Sequence, residues 1–362
     1  MSEVFLSIRG RVLVNVEALN MTESVGNYVK HRRVPVILPE GGYTTYFVPA
    51  ISGESIAHGF QEILADEAKK KKLPVCKLCE RGIFLKSTNS NVIFSAFQNS
   101  RSPTWLGIDI KHWNKLNEIK KKKDKERSNK EKELLKEFEN DELPHSIEKT
   151  IVQNCIIGDI GGFLYAENNF EGFNIGGIKR TSNFFTGYMI PVREALEGVV
   201  IEPQLHSRYA LGTPFVEGGQ GQMIYYVELS SAVYTFSFDL DTRYIGKTTF
   251  SYEKAGSKVV ENRTERLETA LDAVKKFLIE FAFGAKKTRF LPVLDWESLI
   301  IAVSDDVWTV PSPYTAGYIE NARKKEEKVD YNTKIFTYPD GGSFEEVVVD
   351  AVDEAKSRVS GS

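Results

Sequence analysis

A chain of 362 residues is about two and a half typical domains long, which allows one elaborated domain or two to three smaller ones. With 41% hydrophobic and 27% charged residues it is neither a disordered chain nor a bundle of membrane spans, and no apolar run approaches the roughly 18 to 20 residues that cross a bilayer. A net charge of -3 excludes a globally basic nucleic-acid binder but leaves room for a local basic groove, and the N-terminal MSEVFLSIRGRVLVNV has no signal-peptide pattern, so a cytoplasmic protein is expected.

The first predicted element is a long strand with one buried face: Val4, Leu6, Ile8, Val12, Val14 and Val16 alternate with Ser7, Arg9, Arg11, Asn15 and Glu17. After the loop ALNMTESVGNYVK, a hairpin is predicted from Val34 to Leu38 and Tyr43 to Val48, turning at Pro39 to Gly42. Ser52 offers an N-cap to a helix whose Ile56, Phe60, Ile63, Leu64 and Ala68 repeat at helical spacing until Lys69 to Lys72 and Pro74. Its polar face carries Ser55, His58, Gln61 and Glu62, and its first amides follow a Ser-Gly turn able to receive a phosphate.

Residues 111–139, with the run Lys120 to Lys123 and dense mixed charge, predict a solvated helical excursion, a basic arm facing RNA being the sharper alternative. In 156–192, IIGDIGGFLYAE and KRTSNFFTGYMIPV read as two strands flanking the tip NNFEGFNIGG, a projecting β-hairpin with Phe170, Phe173 and Ile175 near its end. Val199 to Leu211 and Gln222 to Phe238 read as strands around GTPFVEGGQG, and the apolar parity flips at Ser230 and Ser231, which predicts a bulge or break there. An amphipathic helix over Leu267 to Phe281, a strand over Trp296 to Val303 and a closing helix over Phe344 to Arg358 follow. Strand, helix, strand, strand, helix, strand is the order of the split βαβ unit: an α+β, ferredoxin-like (RRM-like) fold with its helices on one face of an antiparallel sheet and a large insertion after the first helix.

Several patterns bear on chemistry. Gly246, Lys247 and Thr248 end like a phosphate-binding P-loop, but Asp241 stands where that motif needs its first glycine. Gly53 to Ala57 approximates the GxSxG elbow that would make Ser55 a hydrolase nucleophile; its last glycine is missing and no histidine follows His206. Cys76 and Cys79 form a CxxC pair for which free thiols, a zinc site completed by Cys155 and a histidine, and a redox pair all stay open. No catalytic metal motif is present, and no cofactor is expected. His206, with Arg208 and Tyr209 beside it, combines a donor, a cation and a stacking face, which is what single-stranded RNA needs.

The segments VPAISGESIAHGFQEIL, QNCIIGDIGGFLYA, KRTSNFFTGYMIPV and IEPQLHSRYAL, in this order on this frame, resemble the Cas-seven/DevR family of CRISPR-associated proteins, most of all its archaeal type I-A backbone subunits, over roughly residues 3 to 305. The resemblance implies a non-catalytic protein that polymerises along a CRISPR guide RNA as part of a Cascade-like surveillance complex, with other subunits and target DNA paired to the guide as partners. It implies a palm from residues 1–72 and 198–305, an inserted subdomain at 73–155, a thumb region at 156–197 and a C-terminal extension at 306–362. A guide of variable sequence must be held by phosphate, sugar and base faces. The candidate contacts are Lys30, His31, Arg32, Lys179, Arg180, His206, Arg208, Lys286, Lys287 and Arg289, the last three in FGAKKTRF, with Asn20, Asn27, Ser52, Ser55 and His58 as uncharged partners. Relatives that cleave target RNA carry an aspartate in the loop after the first strand; here Glu23 is that loop's only acid, which weighs against the rival reading, a metal-dependent endoribonuclease.

Overall fold

The structure is a computed structural model and describes residues 3–39, 41–98, 103–209 and 222–361. The alternating N-terminal segment forms β1 (Phe5–Glu17), followed by a small hairpin of β2 (Met21–Val25) and β3 (Tyr28–His31), the predicted hairpin of β4 (Arg33–Leu38) and β5 (Thr44–Pro49), and α1 (Gly53–Lys70). Next come α2 (Ser90–Phe97), α3 (Ile110–Lys121), α4 (Asn129–Glu137), α5 (Leu143–Asn154) and α6 (Ile156–Gly161), then the short strands β6 (Phe163–Tyr165), β7 (Asn169–Phe170), β8 (Phe173–Asn174), β9 (Ile178–Arg180) and β10 (Phe184–Thr186). The chain continues through β11 (Val200–Tyr209), β12 (Gln222–Asp241), α7 (Arg263–Glu280), β13 (Val293–Ser304), α8 (Tyr318–Glu326), β14 (Thr333–Tyr338) and α9 (Phe344–Ser360). Among the described residues no helix is long and apolar enough to cross a membrane.

The main sheet runs β14-β13-β1-β12-β3-β2, and β10 and β11 line the other edge of β12. Period two puts Leu6, Ile8, Val12 and Val14 of β1 on the same face as Tyr234, Phe236 and Phe238 of β12 and Leu299, Ile301 and Val303 of β13, and all are buried. Helices α1, α7 and α9 cover that face. Phe60 of α1 sits at the centre, its ring 4.8 Å from Phe184, 4.9 Å from Phe238 and 6.1 Å from Phe277 of α7. The opposite face is not open as predicted for the first strand. Residues after β13 fold back so that Trp308, Val310, Tyr318 and Ala322 bury Ile300 and Ala302, and the Val310 amide donates to the Ser7 hydroxyl at 3.0 Å.

The predicted irregularity at Ser230–Ser231 is not in β12, which runs unbroken and keeps an even register with β11 from Gln222 to Ser231. The extra residue lies in the facing strand. Val14 opposes Ala232 and Glu17 opposes Ser230, so β1 bulges by one residue, with Val16 at φ +57°. Beyond the bulge β1 leaves and β3 replaces it, pairing parallel with β12 at Tyr226 and Val227. Tyr225, Val227 and Leu229 thus meet different neighbours from the residues beyond Ser230, and the parity change needs no break.

The segment read as a projecting hairpin is folded inward. Phe170, Phe173 and Ile175 are buried rather than exposed at a tip, with the Phe173 ring 4.9 Å from Trp113 and 5.0 Å from Phe138 and the Phe170 ring 6.0 Å from Phe94. Ile156–Gly161 is a helix, not a strand; Ile156, Ile157 and Ile160 follow helical spacing. The charged segment forms α3 and α4, but their Leu116, Ile119 and Leu135 are buried, and Lys120 Nζ lies 4.6 Å from the Phe173 ring, so it is a packed pair and not a free arm.

Four buried charges fasten this insertion to the frame. Arg180 donates to Glu148 at 2.9 Å and to Asp159 at 2.6 Å, and Arg266 of α7 donates to Asp159 at 2.9 Å, every side chain being at most 1% exposed. The backbone amides of Gly246, Thr249 and Phe250 donate to the same carboxylates. Arg180 is therefore a structural ion and is withdrawn as an RNA contact. Gly246 is also settled: its φ is +76° and a Cβ would fall 2.5 Å from Val260, so it serves a tight turn and not a phosphate. Removing one partner of such a cluster strands buried charge. Arg180→Ala is expected to cost about 3 to 5 kcal/mol in urea unfolding, and an unchanged unfolding free energy would show that the network carries no weight.

Candidate nucleic-acid interface

The surface grows from four residues, Glu17 to Asn20, where β1 ends. The Glu17 carboxylate is fully buried and accepts from the His31 ring, the Ser230 and Tyr234 hydroxyls and, at 2.7 Å, the Leu19 amide. His31 Nδ1 is 3.0 Å from the Arg32 carbonyl, so both ring nitrogens face acceptors and the ring is held as imidazolium. Burial alone would lower its pKa, but the hydrogen bond and charge of Glu17 outweigh this and raise it above 6.5. Burial likewise pushes Glu17 up, and His31 with its other donors brings it below 4.5.

Leu19 and Asn20 then hold the neighbouring segments. The Leu19 carbonyl accepts from the Ala285 amide at 2.9 Å and the Ser55 hydroxyl at 3.3 Å. The Asn20 carbonyl accepts from the Arg32 amide at 3.1 Å, and its side-chain oxygen accepts from the Ser52 amide at 2.5 Å. Asn20, His31 and Ser52 are all buried and spent on these bonds, which corrects their reading as RNA contacts. Ser52 caps α1 as predicted, accepting from the Ser55 amide, and Glu54 stands in the first turn with its pKa lowered by its own backbone amide and by Ser52. A carboxylate in that first turn disfavours a phosphate there. Ser55 gives its proton to a carbonyl and not to an imidazole, which leaves the hydrolase reading without a base.

Three hollows border this core. The first, about 590 Å³, is walled by Gly26, Asn27 and Val29 of the β2–β3 hairpin, Tyr225 of β12, and Lys286, Thr288, Arg289 and Phe290. His206 backs it, stacked on Tyr225 with centroids 5.3 Å apart and meeting Phe290 edge-on at 5.3 Å; its Nε2 has no hydrogen-bond partner among the described residues. The loop reaches this place because Gly284, at φ +95°, passes Leu19 so closely that a Cβ would come within 2.8 Å of it. Asn27 shapes the turn, donating to the Ile224 carbonyl at 3.0 Å and accepting from the Tyr226 amide at 2.8 Å.

Across β3 lies the second hollow, with Tyr28, Lys30, Arg32 and Arg33 around Glu228, which pairs with Arg33 at 2.9 Å. Arg32 reaches Tyr188, its guanidinium 6.0 Å from the ring centre and 3.3 Å from the hydroxyl, and Tyr188 opens the third hollow beside Gly53, His58, Phe84 and Lys86. Asn27, Lys286 and Arg289 thus line the first hollow with His206 behind it, Lys30 and Arg32 line the second, and His58 lines the third. Lys179 is exposed on a separate hollow with Thr181, Phe185 and Tyr244, and Lys287 turns to the Ala282 carbonyl in a hollow lined by Glu62, Asp66, Glu80 and Glu280. The side chain of Arg208 lies outside the described residues. Sequence reasoning missed Tyr225, Phe290 and Tyr188, because an aromatic residue, in a strand as Tyr225 or in a connection as Phe290 and Tyr188, carries the same signal whether it faces a core or a groove.

Cys76, Cys79 and Cys155 are all buried, and their sulfurs lie within 4.8 Å of one another. Hydrogen bonding to Cys155 pushes Cys76 up to about 12 and raises Cys79 further, whereas Cys155, despite its burial, is drawn below the usual thiol range by the donors around it.

The structure defines a mixed α+β protein whose accessible chemistry is a set of open, ring- and cation-lined hollows. The family described as CRISPR-associated negative auto-regulator DevR/Csa2 matches residues 8–104 and 106–323, and the chain belongs to that family. The CRISPR-associated protein Cas7/Csa2 1 of Saccharolobus solfataricus is 31% identical over 313 residues, covering 86% of this chain and 82% of the relative. The CRISPR-associated aCascade subunit Cas7/Csa2 2 of the same organism is 34% identical over 300 residues, covering 82% and 78%. A chain of a solved CRISPR RNA-guided surveillance complex, pre-nicking, aligns over 97% of this chain and 99% of its own at 11% identity and a TM-score of 0.44, a distant likeness. The family membership expected from the four sequence segments is thereby borne out.

The Glu17–His31 pair sets a pH window. With the His31 pKa raised above 6.5, its stabilisation is complete below that value and fades as pH rises through the folded pKa; with Glu17 lowered below 4.5, its share is complete above that value and is lost as pH falls through the folded pKa. The stability gap between the natural protein and His31→Gln, from urea unfolding, should be widest near about pH 5.5 and narrower near about pH 9. A gap independent of pH would mean that the folded ring is neutral.

Proposed function

We propose that this protein is a non-catalytic backbone subunit of an archaeal, type I-A CRISPR surveillance complex, holding guide RNA without reading its sequence while the guide pairs with target DNA. Copies line up along the RNA. Family membership and the aCascade subunit among the relatives support this reading. The observation that carries it is the groove in which Tyr225, Phe290 and His206 meet Lys286 and Arg289: stacking faces beside cations are what sequence-indifferent binding of a single strand requires.

The sheet order supports a ferredoxin-like palm. β1 lies between β13 and β12, and β10 and β11 follow β12, so the first strand sits between the last and the third of the split βαβ unit, with α1 and α7 on one face. Because Phe170, Phe173 and Ile175 are buried, the wedge expected of a thumb falls instead to the β11–β12 ribbon, where Leu205 and Ile224 are exposed.

The test is binding of unrelated single-stranded RNAs, followed by anisotropy. If about four phosphates are neutralised per copy, the salt slope is about -3 and affinity falls on the order of 50-fold between 50 and 200 mM salt. Lys286→Ala with Arg289→Ala should flatten the slope by about 1.4 with the melting temperature unchanged. A slope unaffected by the double change would remove the groove from the interface, and cleavage of the RNA in magnesium would favour the endoribonuclease rival.

A further inference from the structure

The three cysteines do not belong to the surface just described. Cys76 and Cys79 sit in a compact knuckle: the Glu80 amide donates to the Cys76 carbonyl at 3.0 Å, and the turn Cys79–Arg81 is closed by Gly82 at φ +73°, whose amide donates to the Cys79 carbonyl at 3.1 Å. Cys155 arrives from the junction of α5 and α6, where it caps α6 and its sulfur accepts from the Gly158 amide at 3.4 Å. The Ile156 amide donates to the Pro74 carbonyl at 2.9 Å, so the two segments are already in register.

We propose that Cys76, Cys79 and Cys155 hold one zinc ion as three thiolates, fastening the turn after α1 to the α5–α6 junction. Three thiolates at about 2.3 Å from a tetrahedral zinc lie roughly 3.8 Å apart. The sulfurs, already within 4.8 Å of one another, need only close up slightly. Thiols are weak hydrogen-bonding groups, so three of them converging in a buried place gain little from one another without an ion. A disulfide would join two and strand the third. Thiolate ligation selects soft or borderline ions, and an iron–sulfur cluster would take four cysteines. On binding, each thiol releases its proton to solvent, and the dication with three thiolates carries one net negative charge. Lys86, whose ammonium donates to the Gly161 carbonyl at 2.5 Å, interacts electrostatically with Cys79 and offsets that charge. The groove lined by Glu62, Cys79, Glu80 and Arg81 reaches the cluster from its Cys79 side, and a water entering there completes the tetrahedron.

The full-length, untagged protein purified without chelator should carry one zinc per chain by elemental analysis, with X-ray absorption showing sulfur scatterers at about 2.3 Å. Cys155→Ser should lose the zinc. Should that variant fail to fold, the natural protein decides: cobalt(II) added to the reduced, metal-stripped chain should produce a sulfur-to-cobalt charge-transfer band that an equivalent of zinc abolishes. Zinc retained in folded Cys155→Ser, a Cys76–Cys79 disulfide in the purified protein, or the absence of both zinc and the cobalt band would each overturn the assignment.

Discussion

The position of every segment around the groove depends on one buried carboxylate, Glu17. An ionised carboxylate out of water costs several kcal/mol unless it is paired and its lone pairs are met. Glu17 satisfies that demand with a histidine from β3, two hydroxyls from β12 and an amide two residues on. The pairing has a topological effect. β1 must part from β12 at its bulge, and the His31–Glu17 bond together with the Glu228 carboxylate, which accepts from the His31 amide at 2.8 Å, keeps β3 in the place β1 has left. Leu19 and Asn20 are then aimed at the α1 cap, at Arg32 and at the loop carrying Lys286 and Arg289.

A second ionic cluster does the same for the insertion. Glu148, Asp159, Arg180 and Arg266 come from α5, α6, β9 and α7, and three backbone amides fill the lone pairs left over. Both hubs use charge where a hydrocarbon would pack, and buried ions are poor sources of net stability. What they add is direction: an apolar core tolerates sliding, whereas two guanidinium forks on two carboxylates accept one geometry. The insertion is consequently part of the core on the α1 side of the sheet.

The strands and helices that carry a clear period were legible from sequence: β1, the β4–β5 hairpin, α1 with its Ser52 cap, α7, β13 and α9 lie within a few residues of their predicted limits. Burial of polar residues was not. Arg180 and His31 look like Lys179 and Arg32 in the sequence, and only the arrival of Asp159 and Glu17 from distant segments makes them internal. Phe170 and Phe173 in a Gly- and Asn-rich stretch resemble an exposed loop until Phe94 closes over the first and Trp113 and Phe138 over the second. The β2–β3 hairpin was hidden for another reason: its strands are short and pair with residues that β1 would otherwise occupy.

A chain with 47 basic and 50 acidic residues has no spare charge for a nucleic acid, so a local field must come from how the charges are sorted. The sorting is visible. Arg180, Arg266 and His31 are neutralised inside by carboxylates of matching burial, and at the surface many lysines on helices pair with acids three or four residues away, such as Lys70 with Glu67 and Lys324 with Glu320. Arg289 and Lys286 line one hollow together with Asn27, Thr288 and the rings of Tyr225 and Phe290. Because Coulomb attraction in water reaches only about a Debye length, near 8 to 10 Å in physiological salt, it is this neighbourhood and not the total that a phosphate would meet on the proposed reading. Holding those two cations beside Tyr225 needs no donor aimed at a base edge. It needs a loop whose path is invariant, and Gly284 passing Leu19, itself placed by Glu17, supplies that.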